Sequence, residues 1–263
     1  MHTINQLFDL EGKTALITGA ASGLGYRFCE VLAQAGANVV GVARRKERLD
    51  QLQQTIGKQC TTYVCDLTDE AQLQVTLQAI TEKHKIDILI NAAGVADYTP
   101  VFAETTDETF EHIMNLNVTA LWKVTKTVAL QMKSKDIKGS IINIASINGD
   151  AVPAQRASAY CASKAAVIQL SKQLVGELSP FGIRINTISP GLFRTEMTEN
   201  TMEKYEDVIT KRIPAGFVAD VQDMDGLILL LSSNKASRYI NGANFVVDGG
   251  SSWGGHLESG WKD

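Results

Sequence analysis

The sequence predicts an α/β fold, a single doubly wound domain in which helices flank a seven-stranded parallel sheet. Strand-like and helix-like segments alternate along almost all of the 263 residues, which is the pattern of repeated βαβ units. The predicted strand 86–90 is apolar almost throughout, as expected for a strand that is buried on both faces of a parallel sheet. The length suits one domain, 1–263, and neither a linker nor an internal repeat divides it.

Apolar runs, turn residues and helical periodicity give the order of the elements. A glycine-rich turn, 18–25, separates the first strand from a helix whose apolar side chains recur at helical spacing from Leu24 to Ala35. Pro180 and Gly182 end a later helix. The predicted strands are 14–17, 37–43, 60–65, 86–90, 140–145, 183–188 and 243–247, and the later helices are 46–56, a helix from Asp69 onward, 107–132, 158–178 and 220–231.

Two segments depart from the alternation of strands and helices. Residues 191–217 are polar, contain no clear strand and are long for a connection. A connection of this length is more often functional than passive, so we expect a lid over a substrate site. Residues 251–263 form a C-terminal tail with two tryptophans, Trp253 and Trp261.

Composition and charge exclude several classes of function. The net charge of −4 and the lack of a basic tract argue against a nucleic-acid binder. No apolar run reaches the length of a membrane span, and the first residues lack a basic leader followed by an apolar block. The four cysteines lack the spacing of metal ligands. We therefore expect a cytoplasmic protein with reduced thiols and without a metal site.

The glycine-rich turn 18–25 has the properties of a phosphate-binding site. Its glycines at 19, 23 and 25 allow a tight turn and a close approach of a ligand, because no Cβ intervenes. The helix that follows directs free N–H groups and the positive end of its dipole at the turn. A turn of this kind is also an ordinary way to leave a strand, so by itself it leaves both interpretations open.

The end of the second predicted strand indicates which dinucleotide would bind. Enzymes that bind NAD commonly carry an acidic residue there, which accepts a hydrogen bond from the ribose 2′-hydroxyl. This chain has Ala43 followed by Arg44 and Arg45, and a guanidinium suits a 2′-phosphate. We therefore favour NADP over NAD, and the alternative is that both arginines are solvated charges at the start of a helix.

Two further strand ends carry candidate cofactor contacts. Asp66 follows the third strand, where its carboxylate could accept from an adenine amino group or cap a turn or helix. The small residues Asn91-Ala92-Ala93-Gly94 end the fourth strand and would let a cofactor lie against the backbone. Ordinary packing at the edge of the sheet is the alternative for this second group.

Tyr160 and Lys164 are the strongest candidates for chemistry. Residues i and i+4 of a helix share a face, so the phenol and the ammonium can approach each other. The ammonium favours the phenolate and lowers the phenol pKa from about 10 toward the range of a general acid/base. Ser146, at the end of the fifth strand, can hydrogen-bond the same substrate oxygen. Because tyrosine and lysine at this spacing are also common as a surface pair, the assignment depends on Ser146 and on the glycine turn.

Together these motifs resemble those of the classical short-chain dehydrogenases/reductases, and the resemblance covers nearly the whole chain. The resemblance implies a Rossmann-type domain in which Tyr160 is the general acid/base and Lys164 holds the nicotinamide ribose and lowers the tyrosine pKa. It further implies that Ser146 orients the substrate carbonyl and that Asn117 interrupts its long helix and holds a proton-relaying water. The matching residues are the turn 18–25, Asp66, Asn91, Ala92, Ala93, Gly94, Asn117, Ser146, Tyr160, Lys164, Pro190, Gly191 and Thr195.

The resemblance also implies a set of cofactor contacts and a substrate pocket of mixed polarity. The chain departs from the family pattern at Ser22, where many NADP-dependent members have a basic residue, and in the long gap between Ser146 and Tyr160. The expected cofactor-binding residues are Gly19, Ser22, Gly23, Leu24, Gly25, Arg44, Arg45, Asp66, Leu67, Asn91, Ala92, Gly94, Tyr160, Lys164, Pro190, Gly191 and Thr195. The expected pocket residues are Val95, Ala96, Ile147, Asn148, Pro153, Leu192 and Met197.

The function implied by the resemblance is that of an NADP(H)-dependent oxidoreductase that transfers a hydride between the nicotinamide and a secondary alcohol or ketone. The opening residues 7–13 are similar to those of sugar-acid dehydrogenases and of 3-oxoacyl-thioester reductases in this family, and both substrate classes stay open. The alternatives are an NAD-dependent dehydrogenase of the same fold, a catalytically silent NADP-binding sensor or scaffold, and a lyase or epimerase that recycles its nicotinamide. Family members usually form tetramers or dimers through long helices, so a homo-oligomer is expected, with a homotetramer favoured.

Overall fold

The computed structural model describes residues 3–96, 105–152 and 157–254 and confirms the predicted doubly wound α/β fold. The strands of the described ranges are β1 Thr14–Thr18, β2 Asn38–Ala43, β3 Cys60–Val64, β4 Ile88–Asn91, β5 Ser140–Ile144, β6 Arg184–Pro190 and β7 Asn244–Val247. They form one parallel sheet in the order β3-β2-β1-β4-β5-β6-β7. The order reverses between β1 and β4, so a crevice opens at the carboxyl ends of these two strands.

Helices cover both faces of the sheet. Along β1, Ala15 and Ile17 pack on one side and Leu16 on the other, because side chains of a strand alternate between the faces. The helices of the described ranges are α1 Ile4–Leu7, α2 Gly23–Gln34, α3 Lys46–Ile56, α4 Glu70–Lys83, α5 Asp107–Met114, α6 Leu121–Ser134, α7 Ser158–Leu178, α8 Glu199–Thr210, α9 Asp225–Ser232, α10 Asn234–Ser237 and α11 Ser251–Gly254. Apolar residues of α2, α3 and α9 form one core, and those of α4, α6 and α7 form the other.

The predicted elements are confirmed, mostly with small shifts in their bounds, and α3 and α7 have the predicted bounds. The helix predicted over 220–231 starts later than expected, because Val221–Met224 form a 3₁₀ turn before α9. A π turn at Asn115–Ala120 divides the helix predicted over 107–132 into α5 and α6, which is the interruption that the resemblance implied for Asn117. The predicted lid segment 191–217 contains the helix α8, in which Met202 packs against Ile213 and Val218 in a small separate cluster. This mostly polar helix was missed because few of its side chains are buried.

The helix α7 ends where the sequence indicated. A single 3₁₀ turn at Ser179–Phe181 follows it, and Gly182 has a φ of 71°, which is the left-handed conformation that glycine adopts most readily. No helix within the described ranges is long and apolar enough to cross a membrane. Pro153 of the expected pocket and residues 255–263 of the predicted tail lie outside the described residues.

Candidate active site

The glycine-rich turn lies at the carboxyl end of β1 and forms one wall of a cleft at the crevice. Gly19 has a φ of 74°, and a Cβ there would lie 2.7 Å from the backbone nitrogen of Ala93. A Cβ at Gly25 would collide with the carbonyl oxygen of Gly19. Ser22 precedes α2, but its side chain makes no capping hydrogen bond, so it does not satisfy the first N–H groups of α2. A diphosphate fits such a place, because no side chain blocks its approach to the backbone and the free N–H groups at the start of the helix can donate to it.

Most of the predicted site residues line this one cleft. It runs from the glycine turn past the ends of β2 and β3 to the tyrosine and lysine of α7, with the lid segment along one side. The lining residues that the sequence had singled out for cofactor or chemistry are Gly19, Ser22, Gly23, Leu24, Gly25, Arg44, Arg45, Asp66, Leu67, Ala92, Gly94, Ser146, Tyr160, Lys164, Pro190, Gly191 and Thr195.

Asp66 stabilises a turn with one carboxylate oxygen and faces an arginine with the other. Its Oδ1 accepts hydrogen bonds from the backbone N and the hydroxyl of Thr68, at 2.9 and 2.7 Å. Its Oδ2 lies 3.9 Å from Arg44 Nη1. Burial by itself would raise the pKa of Asp66, but the bonds from Thr68 and the charge of Arg44 outweigh it and hold the pKa below its ordinary value. Asp69, not Asp66, caps α4.

The two arginines after β2 have different partners. The Arg44 side chain is 65% exposed, and its long contact with Asp66 is the one ion pair that it makes within the described ranges. Arg45 forms an ion pair with Glu196 of the lid segment, with a distance of 2.8 Å between Nη1 and Oε2. The other oxygen of Glu196 lies 2.7 Å from Arg48 Nη2. Sequence reasoning missed Glu196, because its partners are about 150 residues away along the chain and no local motif marks it.

The Asn91 side chain forms hydrogen bonds with neighbouring elements of the fold. It is buried at the end of β4, and its Nδ2 donates to Thr125 Oγ1 at 2.9 Å and to Asn143 Oδ1 at 2.8 Å. Its Oδ1 has no hydrogen-bond partner within the described ranges. The amide therefore links β4 to β5 and α6, while Ala92, Ala93 and Gly94 line the cleft. A cofactor contact of Asn91 stays a prediction.

Tyr160 and Lys164 lie together on α7, as the spacing predicted. Both are buried, and Lys164 Nζ is 5.6 Å from the centre of the Tyr160 ring. Lys164 Nζ donates to the carbonyl oxygen of Ile144, at the end of β5, at 2.9 Å. Burial lowers the pKa of Lys164 from 10.5 to about 8. At neutral pH the side chain is therefore still mainly an ammonium, and it places a positive charge beside the phenol.

Asn117 lies in the π turn, and its side chain forms hydrogen bonds with the backbone of the segment that follows β4. Its Nδ2 donates to the carbonyl oxygen of Val95 at 2.9 Å and to Ser163 Oγ at 3.0 Å, while its Oδ1 accepts from Val95 N at 2.9 Å. A Cβ at Gly94 would lie 3.2 Å from Lys164 Nζ and 3.3 Å from Asn117 Oδ1. Gly94 therefore lets Asn117, Lys164 and the backbone approach one another closely.

Ser146 has a partner that the sequence did not identify. Its Oγ accepts from the backbone N of Asn148 at 3.1 Å and donates to Asn148 Oδ1 at 3.3 Å. Asn148 is itself fixed, because its Nδ2 donates to the carbonyl oxygen of Val152 at 2.8 Å. The local turn therefore orients the Ser146 hydroxyl, which lies in the same cleft as Tyr160 and Lys164.

The lid segment packs onto the glycine turn. The methyl group of Thr195 would lie 3.2 Å from a Cβ at Gly23. Thr198 Oγ1 accepts from the backbone N of Thr195 at 3.0 Å and donates to the carbonyl oxygen of Phe193 at 2.6 Å. Arg194 pairs with Glu206 of α8 at 2.7 Å. These contacts fix the start of the segment over the cleft.

Comparisons with known proteins agree with this geometry. A family model described as short chain dehydrogenase matches residues 13–206. The 2-dehydro-3-deoxy-D-gluconate 5-dehydrogenase of Bacillus subtilis is 34% identical over 259 residues, which cover 95% of this chain and 98% of the relative. The 3-oxoacyl-acyl-carrier-protein reductase of Thermotoga maritima is 35% identical over 246 residues, 92% of this chain and 98% of the relative. A gluconate 5-dehydrogenase of Burkholderia cenocepacia, solved with NADP and tartrate, matches with a TM-score of 0.88 and 30% identity over 95% of this chain and 99% of its own.

Proposed function

This chain belongs to the short-chain dehydrogenase/reductase family, and we propose that it transfers a hydride between NADP(H) and a secondary alcohol or ketone of a sugar acid or a 3-oxoacyl thioester. The observation that carries the proposal is the convergence of Ser146, Tyr160 and Lys164 on a cleft that begins at the glycine turn. A protein that only bound a dinucleotide would have no use for a phenol, an ammonium and a hydroxyl gathered at the far end of that cleft.

The residues of the cleft fit a dinucleotide. The turn around Gly19 and the start of α2 offer bare backbone and N–H groups to a diphosphate. Arg44 offers an exposed guanidinium to a ribose 2′-phosphate. Lys164 donates one hydrogen bond to Ile144, and its two other donors, which have no hydrogen-bond partner among the described residues, can bind ribose hydroxyls. When bound, the nicotinamide supplies or accepts the hydride.

The chemical roles follow from the positions of the side chains. In the direction of reduction, Tyr160 gives its proton to the carbonyl oxygen of the substrate, and Ser146 turns its hydroxyl away from Asn148 Oδ1 to donate a hydrogen bond to the same oxygen. The charge of Lys164 stabilises the phenolate that remains on Tyr160. A π turn leaves a backbone carbonyl without its usual helical partner, so the turn at Asn117 can hold the water that returns a proton. In oxidation each proton moves in the opposite sense.

A substrate screen with both nicotinamide cofactors tests the proposal. We expect oxidation of NADPH, at a rate above that of NADH, with keto-sugar acids or with 3-oxoacyl thioesters, and the preferred class identifies the substrate. The solved relative that holds tartrate with NADP supports the sugar-acid class, and the reductase from Thermotoga maritima supports the thioester class. Tight NADPH binding without turnover on any carbonyl compound would support a sensor instead. Product formation without a net change in NADPH would indicate a lyase or epimerase.

Arg44→Ala is expected to weaken the binding of NADPH roughly tenfold and that of NADH less than about twofold, because only NADPH carries the 2′-phosphate. Titration of the quenching of tryptophan fluorescence by each cofactor measures both dissociation constants. Lys46→Ala is the matched control, since Lys46 is exposed, lies two residues away and pairs with Asp50 of its own helix at 2.6 Å. Equal losses for NADPH and NADH would contradict the assignment of Arg44 to the phosphate.

We also propose that the chain acts as one domain over 1–263, with 191–217 as the substrate lid and 251–263 as a tail, in a homotetramer in the cytoplasm. Exposed apolar side chains on α5 and α6, among them Phe110, Trp122 and Leu130, support association through these helices. Trp253 in the tail is also exposed, which suits a contact with a second subunit.

A further inference from the structure

A carboxylate from a distant part of the chain reaches the adenosine end of the cofactor cleft. Glu196 follows Thr195 in the lid segment, and both Glu196 and Arg45 line the cleft. Its Oε2 lies 2.8 Å from Arg45 Nη1, and its Oε1 lies 2.7 Å from Arg48 Nη2. One acidic side chain thus holds two arginines at the start of α3.

We propose that Glu196 weakens the preference for NADP(H) by competing with the 2′-phosphate for Arg45. The inference rests on the proposed function, because it concerns the same cofactor cleft. The chain has no acidic residue directly after β2, and its place is taken by Arg44 and Arg45, which we expected to meet the 2′-phosphate. The structure instead provides an acid through the lid, and this acid pairs with one of the two.

The distribution of charge at this end of the cleft supports the competition. Within the part of the chain that the structure describes, Arg44 has only the long 3.9 Å ion pair with Asp66, whereas Arg45 already has a close partner in Glu196. A 2′-phosphate carries a charge of about −1.5 to −2 at neutral pH. To bind Arg45 it must displace the Glu196 carboxylate and then remain near that negative charge. A ribose with a free 2′-hydroxyl carries no charge, so it need not displace Glu196 and is not repelled by it.

The position of Glu196 does not depend on its own ion pairs. The lid backbone beside it is fixed by the bond from Thr195 N to Thr198 Oγ1 at 3.0 Å. Arg194 ties the same segment to residues beyond it, because its backbone N donates to the carbonyl oxygen of Ala219 at 2.9 Å and its Nε lies 3.5 Å from Asp220 Oδ1. Neutralising Glu196 should therefore remove a charge and leave the lid in place.

Calorimetric binding of 2′,5′-ADP and of 5′-ADP, which differ at the 2′-phosphate, tests the proposal without turnover. We expect Glu196→Gln to tighten the binding of 2′,5′-ADP roughly three- to tenfold at low salt and to change that of 5′-ADP less than about twofold. Glu203→Gln is the matched control, because it removes an exposed carboxylate of α8 that does not line the cleft. This control should change neither affinity.

The double variant decides whether the effect acts through Arg45. On an Arg45→Ala background, Glu196→Gln should give a smaller gain for 2′,5′-ADP, since the arginine for which the two anions compete is absent. An unchanged or weaker affinity of Glu196→Gln for 2′,5′-ADP would overturn the proposal, and so would an equal gain on both backgrounds. If the wild-type protein binds neither nucleotide, the proposed function itself fails, which is a different outcome from a failure of the Glu196 variants alone.

Discussion

Tyr160→Phe is expected to lower kcat by about a thousandfold or more while NADPH still binds with a nearly unchanged dissociation constant. The substitution removes only the hydroxyl that carries the transferred proton, and general acid/base groups contribute roughly 10²- to 10⁴-fold to rates. The ring stays in its buried place on α7, where Lys164 Nζ lies 5.6 Å from its centre. Steady-state rates on the best substrate of the screen, together with fluorescence titration of NADPH, measure the two effects.

Tyr63→Phe is the control for this variant. Tyr63 also has a partly buried hydroxyl, which lies 3.2 Å from His84 Nε2, but it is not among the residues that line the cleft. This variant should keep its activity. If Tyr160→Phe kept kcat within about tenfold of the wild type, another group would have to supply the proton. The mechanism proposed for this cleft would then be wrong, even if the chain remained an oxidoreductase.

Most of the fold and the central part of the site could be predicted from local spacing in the sequence. The glycine turn and the pair of Tyr160 and Lys164 are short-range patterns, in which a few residues fix a backbone conformation or a shared helix face. The reversal of strand order between β1 and β4 then brings these distant motifs to one crevice. A sequence of alternating strands and helices predicts that arrangement because parallel strands need right-handed crossovers.

The contacts that could not be predicted from the sequence join side chains that only the folded structure brings together, and no local motif marks them. Asn148 was expected in the pocket, but the hydrogen bond that its backbone N donates to Ser146 Oγ follows from a 3₁₀ turn that no motif marks. Glu196 meets Arg45 and Arg48 only because the lid lies along the start of α3. For Asp66, the structure shows the turn-stabilising role that the sequence had left as one of two alternatives.

Lys164→Met is expected to abolish turnover and at the same time to stabilise the cofactor-free protein. Burial lowers the pKa of Lys164 from 10.5 to about 8, so folding at neutral pH places an ammonium where it is less stable than in water. Methionine has a similar length and no charge, and the substitution removes the hydrogen bond to the carbonyl oxygen of Ile144. We expect the free energy of unfolding at pH 7 to rise by about 1–3 kcal/mol, as measured by urea denaturation of the cofactor-free protein.

The pH dependence of this gain separates a charge effect from a packing effect. Between about pH 8 and 10.5 the unfolded chain holds a proton on Lys164 that the folded protein has lost, so the wild type becomes relatively more stable as the pH rises through this range. The advantage of Lys164→Met should therefore shrink over the same range. Lys172→Met, on the exposed face of α7, should change the unfolding free energy by less than about 0.5 kcal/mol and leave turnover intact. If Lys164→Met were less stable than the wild type at pH 7, the ammonium would contribute favourable interactions to the empty cleft. If it is more stable, as we expect, the fold retains a destabilising charge because the chemistry of Tyr160 requires it.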